Sequence, residues 1–311
     1  MAVYDYDIAV IGGGAAGLTV TAGAAQAGAK TLLVEQEPAL GGDCLHYGCV
    51  PSKTLIRTAQ VYHQMKNAPS YGLPDMSVPG VDFRRVRERI QRVISDIQPH
   101  DSPERFCELG AEVAFGRAEF TDEHQVRIHT SAGGTRKISA KTFVLATGSS
   151  PAVPGVPGLQ QTPYLTNREI FYMEELPSSL VILGGGSIAV EMAQAFARLG
   201  SRVQVVQRSK QILSREDPDM AEQVRTLLQQ EGVTFHLGTE IQQVRDLGRE
   251  REVLFKDGGG RKTSAQGDAL LVALGRSASV DGLGLENAGV DFDRKGIHTD
   301  NRLPTSQRHI F

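Results

Sequence analysis

The pattern of apolar and polar positions repeats once along the chain. An apolar run at residues 7–11 is followed by glycines and then by an Ala-rich stretch at residues 18–27, which predicts a buried strand, a tight turn and a helix. A second apolar run at residues 30–34 predicts the next strand. The same order returns 172 positions later, with the strand, the helix and the second strand predicted at residues 179–183, 190–199 and 202–206. The sequence therefore predicts an α/β protein with two similar units.

Segments of alternating apolar and polar residues follow each unit and predict antiparallel strands. They lie at residues 111–128 and 142–146 in the first half and at residues 234–255 and 269–274 in the second. Each half is therefore expected to carry a β-meander insertion.

Two charged stretches, at residues 83–97 and 218–231, predict amphipathic helices with one solvated face. Neither stretch calls for a functional interpretation.

Turn-forming residues indicate where the two halves meet. Prolines and glycines are frequent at residues 151–158 and mark a boundary. We expect a first domain at residues 1–149 with a return segment at residues 280–311, and a second domain at residues 150–279. A length of 311 residues agrees with about two domains.

Composition and charge exclude several classes of protein. The 33 basic and 36 acidic residues give a net charge of −3, which argues against a nucleic-acid partner. No apolar run approaches the roughly 20 residues that a membrane-spanning helix needs, so no membrane association is expected. Three cysteines are too few for a disulfide framework. Without a predicted secretion signal we expect a cytoplasmic protein, in which paired cysteines are catalytic or bind metal.

The glycines between each strand and helix match the fingerprint of dinucleotide-binding units. The three fingerprint positions are Gly12, Gly14 and Gly17 in the first copy and Gly184, Gly186 and Ala189 in the second. Such glycines allow a tight turn, a close approach of pyrophosphate to the backbone and close helix packing, while the helix N-terminus favours an anion. A glycine turn without a ligand is the alternative, and two copies in the same context argue against it.

The residue 18 positions past the third fingerprint position distinguishes the two nucleotides. In the first copy it is Glu35, whose carboxylate suits the unphosphorylated ribose of FAD or NAD. In the second copy it is Gln207, which is followed by Arg208, and a guanidinium suits a ribose 2′-phosphate. The second copy therefore favours NADP, with NAD possible. The alternative is that Arg208 is an ordinary solvent-facing charge.

Two cysteines lie five positions apart, at Cys44 and Cys49. A regular helix would separate them by about 7.5 Å of rise, whereas the Cα atoms of a disulfide lie about 5.5 to 6 Å apart, so this segment is expected to be distorted. Gly48 permits a distortion and Pro51 suits the first turn of a following helix. The helix N-terminus and Lys53, four residues on, would both lower the pKa of the Cys49 thiol.

Two alternatives remain for these thiols. A zinc site would use Cys44, His46 and Cys49 but lacks a fourth ligand, and the thiols could instead be buried and unreactive. Cys107 has no partner nearby in the sequence and is interpreted as a packing residue.

Together these motifs resemble the pyridine nucleotide-disulfide oxidoreductases, the family of dihydrolipoamide dehydrogenase, glutathione reductase and mercuric reductase. The resemblance rests on the first fingerprint, on the run Gly-Gly-x-Cys-x4-Gly-Cys-Val-Pro-Ser-Lys, and on the second fingerprint with Glu191. It covers nearly the whole chain and looks closer to mercuric reductase-like members than to glutathione reductase. It implies two Rossmann-like domains of the three-layer ββα FAD/NAD(P)-binding fold, with FAD in the first and NAD(P) in the second.

The resemblance also implies a reaction sequence and site residues. NAD(P)H would pass hydride to FAD, and the flavin would reduce a Cys44–Cys49 disulfide. Cys49 would be the charge-transfer thiolate and Cys44 the thiol that attacks substrate, while Lys53 would pair with Glu191 near the flavin. The implied FAD contacts are Gly12, Gly14, Gly17, Glu35, Gly42, Asp43, Lys53, Thr147, Gly148 and Arg276. The implied NADP contacts are Gly184, Gly186, Ile188, Glu191, Gln207, Arg208 and Gly275. No metal site is implied.

The sequence departs from the family pattern at several points. Asp43 stands where many members carry Thr, and Ser187 where some carry a Tyr that gates the nicotinamide site. Members also continue past a strand like residues 309–311 into a dimerisation domain, whose His, with a Glu five residues later, acts as acid and base. No histidine of this sequence has Glu at that spacing.

We therefore expect a shortened chain that lacks the C-terminal dimerisation domain, whereas a full-length member would be a homodimer. The substrate would be a small-molecule or protein disulfide, or mercuric ion. The alternatives are an electron-transfer module or NAD(P)H oxidase without disulfide turnover, and a non-enzymatic fragment.

Overall fold

The computed structural model describes residues 3–130 and 133–311. The helices are α1 (Ala15–Gln26), α2 (Gly42–His46), α3 (Cys49–Lys66), α4 (Phe83–Ile97), α5 (Pro103–Glu108), α6 (Ser187–Leu199) and α7 (Pro218–Gln230), with 3-10 turns at Ala68–Tyr71, Gln98–Asp101 and Leu159–Gln161. The strands are β1 (Tyr6–Ile11), β2 (Thr31–Glu35), β3 (Ala111–Phe115), β4 (Arg117–Asp122), β5 (Gln125–His129), β6 (Thr135–Leu145), β7 (Ser149–Pro151), β8 (Ser179–Leu183), β9 (Arg202–Gln207), β10 (Thr234–Leu237), β11 (Glu240–Asp246), β12 (Arg251–Lys256), β13 (Lys262–Gly267), β14 (Ala269–Val272), β15 (Arg276–Ala278), β16 (Phe292–Asp293) and β17 (Gly296–Ile297).

The described chain divides into two compact units. The first comprises Met1–Cys49, Ile94–Ser150 and Arg276–Phe311, and the second comprises Val50–Val93 and Pro151–Gly275.

The first unit is built on a mixed six-stranded sheet in the order β3-β2-β1-β6-β5-β4. Strands β3, β2, β1 and β6 run parallel, and β6 continues into antiparallel pairing with β5, which pairs with β4. The apolar run of β1 is buried because helices and the meander cover its sheet, and Ala9 and Val10 are fully buried. Phe120 and Phe143 meet edge to face, with ring centroids 4.9 Å apart, at the centre of the meander core.

The second unit repeats this plan with one difference. Its parallel sheet has the order β10-β9-β8-β14, and its meander β11-β12-β13 forms a separate antiparallel sheet. The two sheets part at Asp268, between β13 and β14. The Asp268 backbone N–H donates to Ser179 Oγ, and its carboxylate accepts the backbone N–H of Ser178. The α/β fold with a meander in each half is thus confirmed.

The repeat seen in the sequence holds at the level of single hydrogen bonds. Gly12 N–H donates to Val34 O at 2.8 Å, and the matching bond in the second unit, between residues 184 and 206, is 2.9 Å long. Likewise Gly41 N–H donates to Gly13 O at 2.9 Å, and Leu213 N–H donates to Gly185 O at 2.6 Å. Gly41 and Leu213 both have a positive φ, of 112° and 48°. Both glycine turns are therefore closed by the same backbone contact.

Most predicted elements are confirmed, whereas the short helices α2 and α5 and the short strands β7, β15, β16 and β17 were not predicted. Helix α4 has the predicted bounds, and its apolar side is buried through Phe83, Val86, Ile90 and Ile94. Helix α5 was not predicted, because six residues are too few to show a helical period. Ser102 is the N-cap of this helix, and its Oγ accepts the backbone N–H of residue 105.

The last residues of the chain pack on the first unit. Phe143 N–H donates to His309 O at 2.9 Å, Phe311 N–H donates to Phe143 O at 3.0 Å, and Leu145 N–H donates to Phe311 O at 2.7 Å. The tail thus lies along β6. Within the described part of the chain, no helix combines the length and the apolar character needed to span a membrane.

Candidate active site

Two glycines of the first fingerprint, Gly12 and Gly17, have a steric reason in the structure. Gly12 has a φ of 111°, and a Cβ on it would lie 2.3 Å from Ala146 O. A Cβ on Gly17 would lie 1.8 Å from Gly12 O, so only glycine lets α1 approach the end of β1 this closely. Gly14 is the N-cap of α1. These residues produce the strand, turn and helix that the sequence pattern predicted.

The start of α2 lies against the start of α1. Gly42 has a φ of 56°, and a Cβ on it would lie 2.6 Å from the Gly14 Cα. Two glycine backbones therefore meet where the N-terminus of α1 presents its N–H groups. Because no side chain stands between these glycines and the start of α1, a pyrophosphate could approach the backbone N–H groups there.

Glu35 lies at the end of β2 and is buried, with 6% of its surface exposed. Its Oε2 accepts the Gly13 N–H at 2.5 Å, and its Oε1 accepts the Glu37 N–H at 2.7 Å. The carboxylate is thus fixed beside the glycine turn, and each oxygen has a further lone pair for a ribose hydroxyl. Gly13, which lies between the fingerprint glycines Gly12 and Gly14 and was assigned no role from the sequence, holds the Glu35 carboxylate in place through its N–H.

The cysteine segment is distorted as predicted. Helix α2 ends at His46, and α3 starts at Cys49, so the two cysteines lie on different helices. Both are free thiols, with Cys44 partly buried and Cys49 exposed. Burial raises the pKa of the Cys44 thiol, and a hydrogen bond with the Cys49 side chain and the charge of that group raise it further. The side chains of Cys44 and Cys49 therefore interact, as those of a dithiol that cycles with a disulfide must.

A test of this contact follows from the raised pKa of Cys44. Thiolate is the reactive form, so a raised pKa moves the alkylation of Cys44 to higher pH. In Cys49→Ala the hydrogen bond and the charge of the Cys49 side chain are lost while the burial remains, and we expect the alkylation midpoint of Cys44 to move to lower pH. Site-resolved alkylation across pH 7 to 11, read by mass spectrometry with Cys107 as internal reference, measures it. An unchanged midpoint would contradict the proximity of the two thiols.

Arg276 and Asp43 meet in the first unit. Arg276 Nε donates to Ser149 Oγ at 2.7 Å and Nη2 donates to Ser149 O at 2.6 Å. The same Nη2 lies 3.1 Å from Asp43 Oδ2. Ser149 was not predicted, because its contact with Arg276 joins segments far apart in the chain.

Thr147 and Gly148 are hydrogen-bonded to Ser279, which follows β15. Thr147 Oγ1 donates to Ser279 O at 2.8 Å, and Ser279 N–H donates to Gly148 O at 3.1 Å. Gly148 has a φ of 68°, which favours glycine. The residues that the resemblance assigns to this part of the site are therefore held by local hydrogen bonds.

The second glycine turn repeats the first. Gly184 has a φ of 109°, and a Cβ on it would lie 2.3 Å from Ala273 O. The third position is Ala189, which is fully buried. Gly186 is the N-cap of α6, and no atom lies within 4 Å of the position of a Cβ there, so the start of α6 is open to a ligand.

The other residues predicted to bind NADP surround this turn. Ile188 is 44% exposed in the first turn of α6. The side chain of Gln207 lies against Gly185, as that of Glu35 lies against Gly13. Arg208 follows β9 and is exposed. Gly275 has a φ of 119°, and its carbonyl accepts the backbone N–H of residue 152.

Lys53 and Glu191 form an ion pair in the second unit. Lys53 Nζ lies 2.6 Å from Glu191 Oε1, and the side chains are 61% and 38% exposed. An exposed pair of this kind contributes at most about 1 kcal/mol to stability. The resemblance predicted this pair from two single residues that would otherwise pass as surface charges.

His46 takes part in the packing of α2. Its Nε2 lies 3.0 Å from Leu40 O, which also accepts a hydrogen bond from Gln98 Nε2 at 3.0 Å. Among residues 3–130 and 133–311, no group of three or more His, Cys, Asp or Glu side chains is arranged to hold a metal ion.

The chain is similar in sequence to mercuric reductases and dihydrolipoyl dehydrogenases. It is 35% identical to a mercuric reductase of Shigella flexneri over 311 residues, which cover 98% of this chain and 54% of the relative. It is 34% identical to a dihydrolipoyl dehydrogenase of Bacillus subtilis over 306 residues, which cover 98% of this chain and 65% of the relative. The chain thus spans about half to two thirds of the length of these relatives.

A solved structure has a similar fold. It is the Cu(II) complex of the HOCl-induced flavoprotein disulfide reductase RclA from Escherichia coli, with a TM-score of 0.86 and 30% identity. The match covers 100% of this chain and 65% of that one.

The family comparison agrees with the site geometry. The family described as pyridine nucleotide-disulphide oxidoreductase matches residues 6–311. The chain therefore belongs to the pyridine nucleotide-disulphide oxidoreductase family.

Proposed function

We propose that this chain carries the reductive half of an FAD-dependent NADPH:disulfide oxidoreductase, which passes electrons through Cys44 and Cys49 to a disulfide or a metal ion. The observation that carries the proposal is the contact between these two thiols at the break between α2 and α3. Bound FAD would supply two-electron transfer between a nicotinamide and a disulfide.

The first unit has the features that FAD binding requires. The N-terminus of α1, beside Gly42, offers backbone N–H groups to a pyrophosphate, and Glu35 offers carboxylate oxygens to a ribose. In the same unit, Cys44 is the more buried thiol and its raised pKa keeps it protonated at neutral pH. Once ionised, the Cys44 thiolate would attack one sulfur of a substrate disulfide, which breaks the substrate S–S bond, forms a mixed disulfide and releases the first substrate thiolate. The Cys49 thiolate would then attack the Cys44 sulfur, which closes the Cys44–Cys49 disulfide and releases the second substrate thiolate.

The second unit is proposed to bind the nicotinamide nucleotide. Its open glycine turn at Gly186 fits a pyrophosphate, and the ion pair of Lys53 with Glu191 would hold both side chains in position near the nicotinamide. Arg208 follows β9, where a ribose 2′-phosphate is expected. The residue before it, Gln207, is neutral and would not repel the phosphate.

The preference for NADPH is testable at Arg208. We expect Arg208→Glu to lower kcat/KM for NADPH by about tenfold to a hundredfold relative to kcat/KM for NADH, because a charge-assisted hydrogen bond to the 2′-phosphate is replaced by repulsion. The ratio of kcat/KM for flavin reduction by the two nucleotides measures the change. Arg202→Glu, at the other end of β9, is the control. An unchanged ratio would remove the NADP assignment and favour NAD.

The proposed function is tested first by the visible spectrum of the purified chain with and without added FAD. We expect the chain to bind flavin and anaerobic NADPH to reduce it. Counting free thiols before and after reduction should show that the Cys44–Cys49 disulfide has been reduced. Reduction of flavin without new thiols would favour the electron-transfer or oxidase alternative. A chain that takes up no FAD would contradict the proposal.

The substrate is then sought among lipoamide, oxidised glutathione, Hg(II) and Cu(II), classes that include the substrates and ligands named for its relatives. Turnover of a disulfide without turnover of either metal ion is expected if Cys44 acts by thiol exchange.

A further inference from the structure

We propose that Asp101 is a positioning residue for the thiol pair, because its carboxylate repels a negative charge on Cys44 and so directs that charge to Cys49. This inference rests on the thiol exchange that is proposed above. It adds to that function a residue from outside the cysteine segment, which lies on the 3-10 turn before α5.

The 3-10 turn Gln98–Asp101 is fixed to the segment that carries Cys44. Gln98 Nε2 donates to Leu40 O at 3.0 Å and to Asp101 O at 3.3 Å, so one amide group joins the two segments. Leu40 is fully buried, and its carbonyl oxygen also lies 3.0 Å from His46 Nε2, at the end of α2. Asp101 is therefore held by its own backbone at the packed base of the helix on which Cys44 lies.

The Asp101 carboxylate acts on the Cys44 thiol through its charge. Burial is the largest cause of the raised pKa of Cys44, followed by the hydrogen bond and the charge of Cys49, and the negative charge of Asp101 raises it further. Asp101 is partly buried, so solvent screens its charge less than that of a fully exposed carboxylate. The carboxylate thus makes Cys44 harder to ionise.

Basic side chains also act on Asp101. Burial raises the pKa of its carboxyl, and the charges of three basic side chains lower it, namely those of Arg105, His100 and His46. Arg105 Nη1 lies 3.4 Å from His100 Nδ1. In the alkaline range in which thiols ionise, an ordinary imidazole is neutral, whereas a guanidinium and a carboxylate keep their charges. Asp101 therefore carries its negative charge while Cys44 titrates.

The charge of Asp101 has a consequence for the reduced thiol pair. Two electrons from a reduced flavin would break the S–S bond and leave a thiolate on each of Cys44 and Cys49. Uptake of one proton from solvent then neutralises one of them. Asp101 favours protonation of Cys44, so the remaining charge lies on Cys49. This is the distribution that the roles proposed for the two thiols require.

The pH dependence of alkylation tests the inference and needs neither flavin nor nucleotide. The full chain is reduced with a phosphine and alkylated across pH 7 to 11, and each cysteine is read by mass spectrometry. We expect Asp101→Asn to move the midpoint of Cys44 to lower pH and that of Cys49 less. Glu104→Gln, which removes an exposed carboxylate of α5, is the matched control and should leave both midpoints in place.

Two further readouts separate charge from packing. The rate of alkylation at the high-pH plateau reports access to the thiol, and we expect it to be the same in the wild type and in Asp101→Asn. Added salt should lower the Cys44 midpoint of the wild type more than that of Asp101→Asn. Asp101→Glu keeps the charge and should stay closer to the wild type than Asp101→Asn does.

Several results would overturn the inference. One is a Cys44 midpoint that moves no further in Asp101→Asn than in Glu104→Gln, and another is a faster plateau with an unchanged midpoint. If Asp101→Asn does not fold, Gln98→Ala decides, since it removes the bond that holds the turn and should also move the Cys44 midpoint to lower pH. A chain that shows the expected shift but reduces no disulfide would contradict the proposed function alone.

Discussion

Replacing Cys49 by alanine is expected to lower the rate of NADPH-dependent disulfide reduction by about a thousandfold or more. Without Cys49 the dithiol cannot close to a disulfide, so electrons have no route from the flavin to Cys44. Steady-state oxidation of NADPH with lipoamide or oxidised glutathione, whichever is turned over by the wild type, measures the loss. Flavin reduction by NADPH in a single turnover should remain, because it precedes the thiol step.

Cys107→Ala is the matched control, since Cys107 lies on a different helix and is exposed, so its interpretation as a packing residue is wrong. It should leave turnover within about twofold of the wild type. Cys44→Ser adds a spectroscopic test, because a lone Cys49 thiolate beside oxidised flavin should give a long-wavelength absorbance band. Turnover of Cys49→Ala within tenfold of the wild type would mean that electrons bypass the two thiols.

Gly17→Ala is expected to destabilise the chain by about 3 kcal/mol or more and to abolish FAD uptake. The added Cβ would lie 1.8 Å from Gly12 O, and both partners are backbone groups that no side-chain rotation can relieve. The end of β1 and the start of α1 would have to separate, which disrupts the proposed pyrophosphate site. Chemical denaturation and FAD titration measure the two effects.

Gly23→Ala lies six positions further along the same helix, where a Cβ would meet no atom within 4 Å. It should stabilise the chain by about 0.5 to 1 kcal/mol through helix propensity. Equal effects of the two substitutions would contradict the close contact between helix and strand. In the second unit the corresponding position is the buried Ala189, so the demand for glycine is specific to the first turn.

Much of the fold was predictable because local patterns determine it. The apolar runs of β1 and β8 and the glycines after them specify strand, turn and helix over short distances along the chain. The break between α2 and α3 followed from the spacing of the two cysteines, which a continuous helix could not bring together.

Other features depend on packing between remote segments. The contact of Asp43 with Arg276 arises because the start of α2 and β15 meet in the first unit, and neither local sequence encodes that meeting. The hydrogen bond between Gly13 and Glu35 is of the same kind, although the glycine triplet was visible in the sequence. The ion pair of Lys53 and Glu191 was predictable only from the family resemblance.

The eleven-residue strand β6 has a mechanical consequence for the first unit. Because β6 belongs to both the parallel sheet and the meander, we expect the amide protons of the two regions to be protected by one continuous ladder and to exchange together. In the second unit the ladder is interrupted at Asp268, so we expect the meander to exchange its amide protons with solvent while the parallel sheet stays closed. The two halves share a plan, and we expect them to differ in cooperativity.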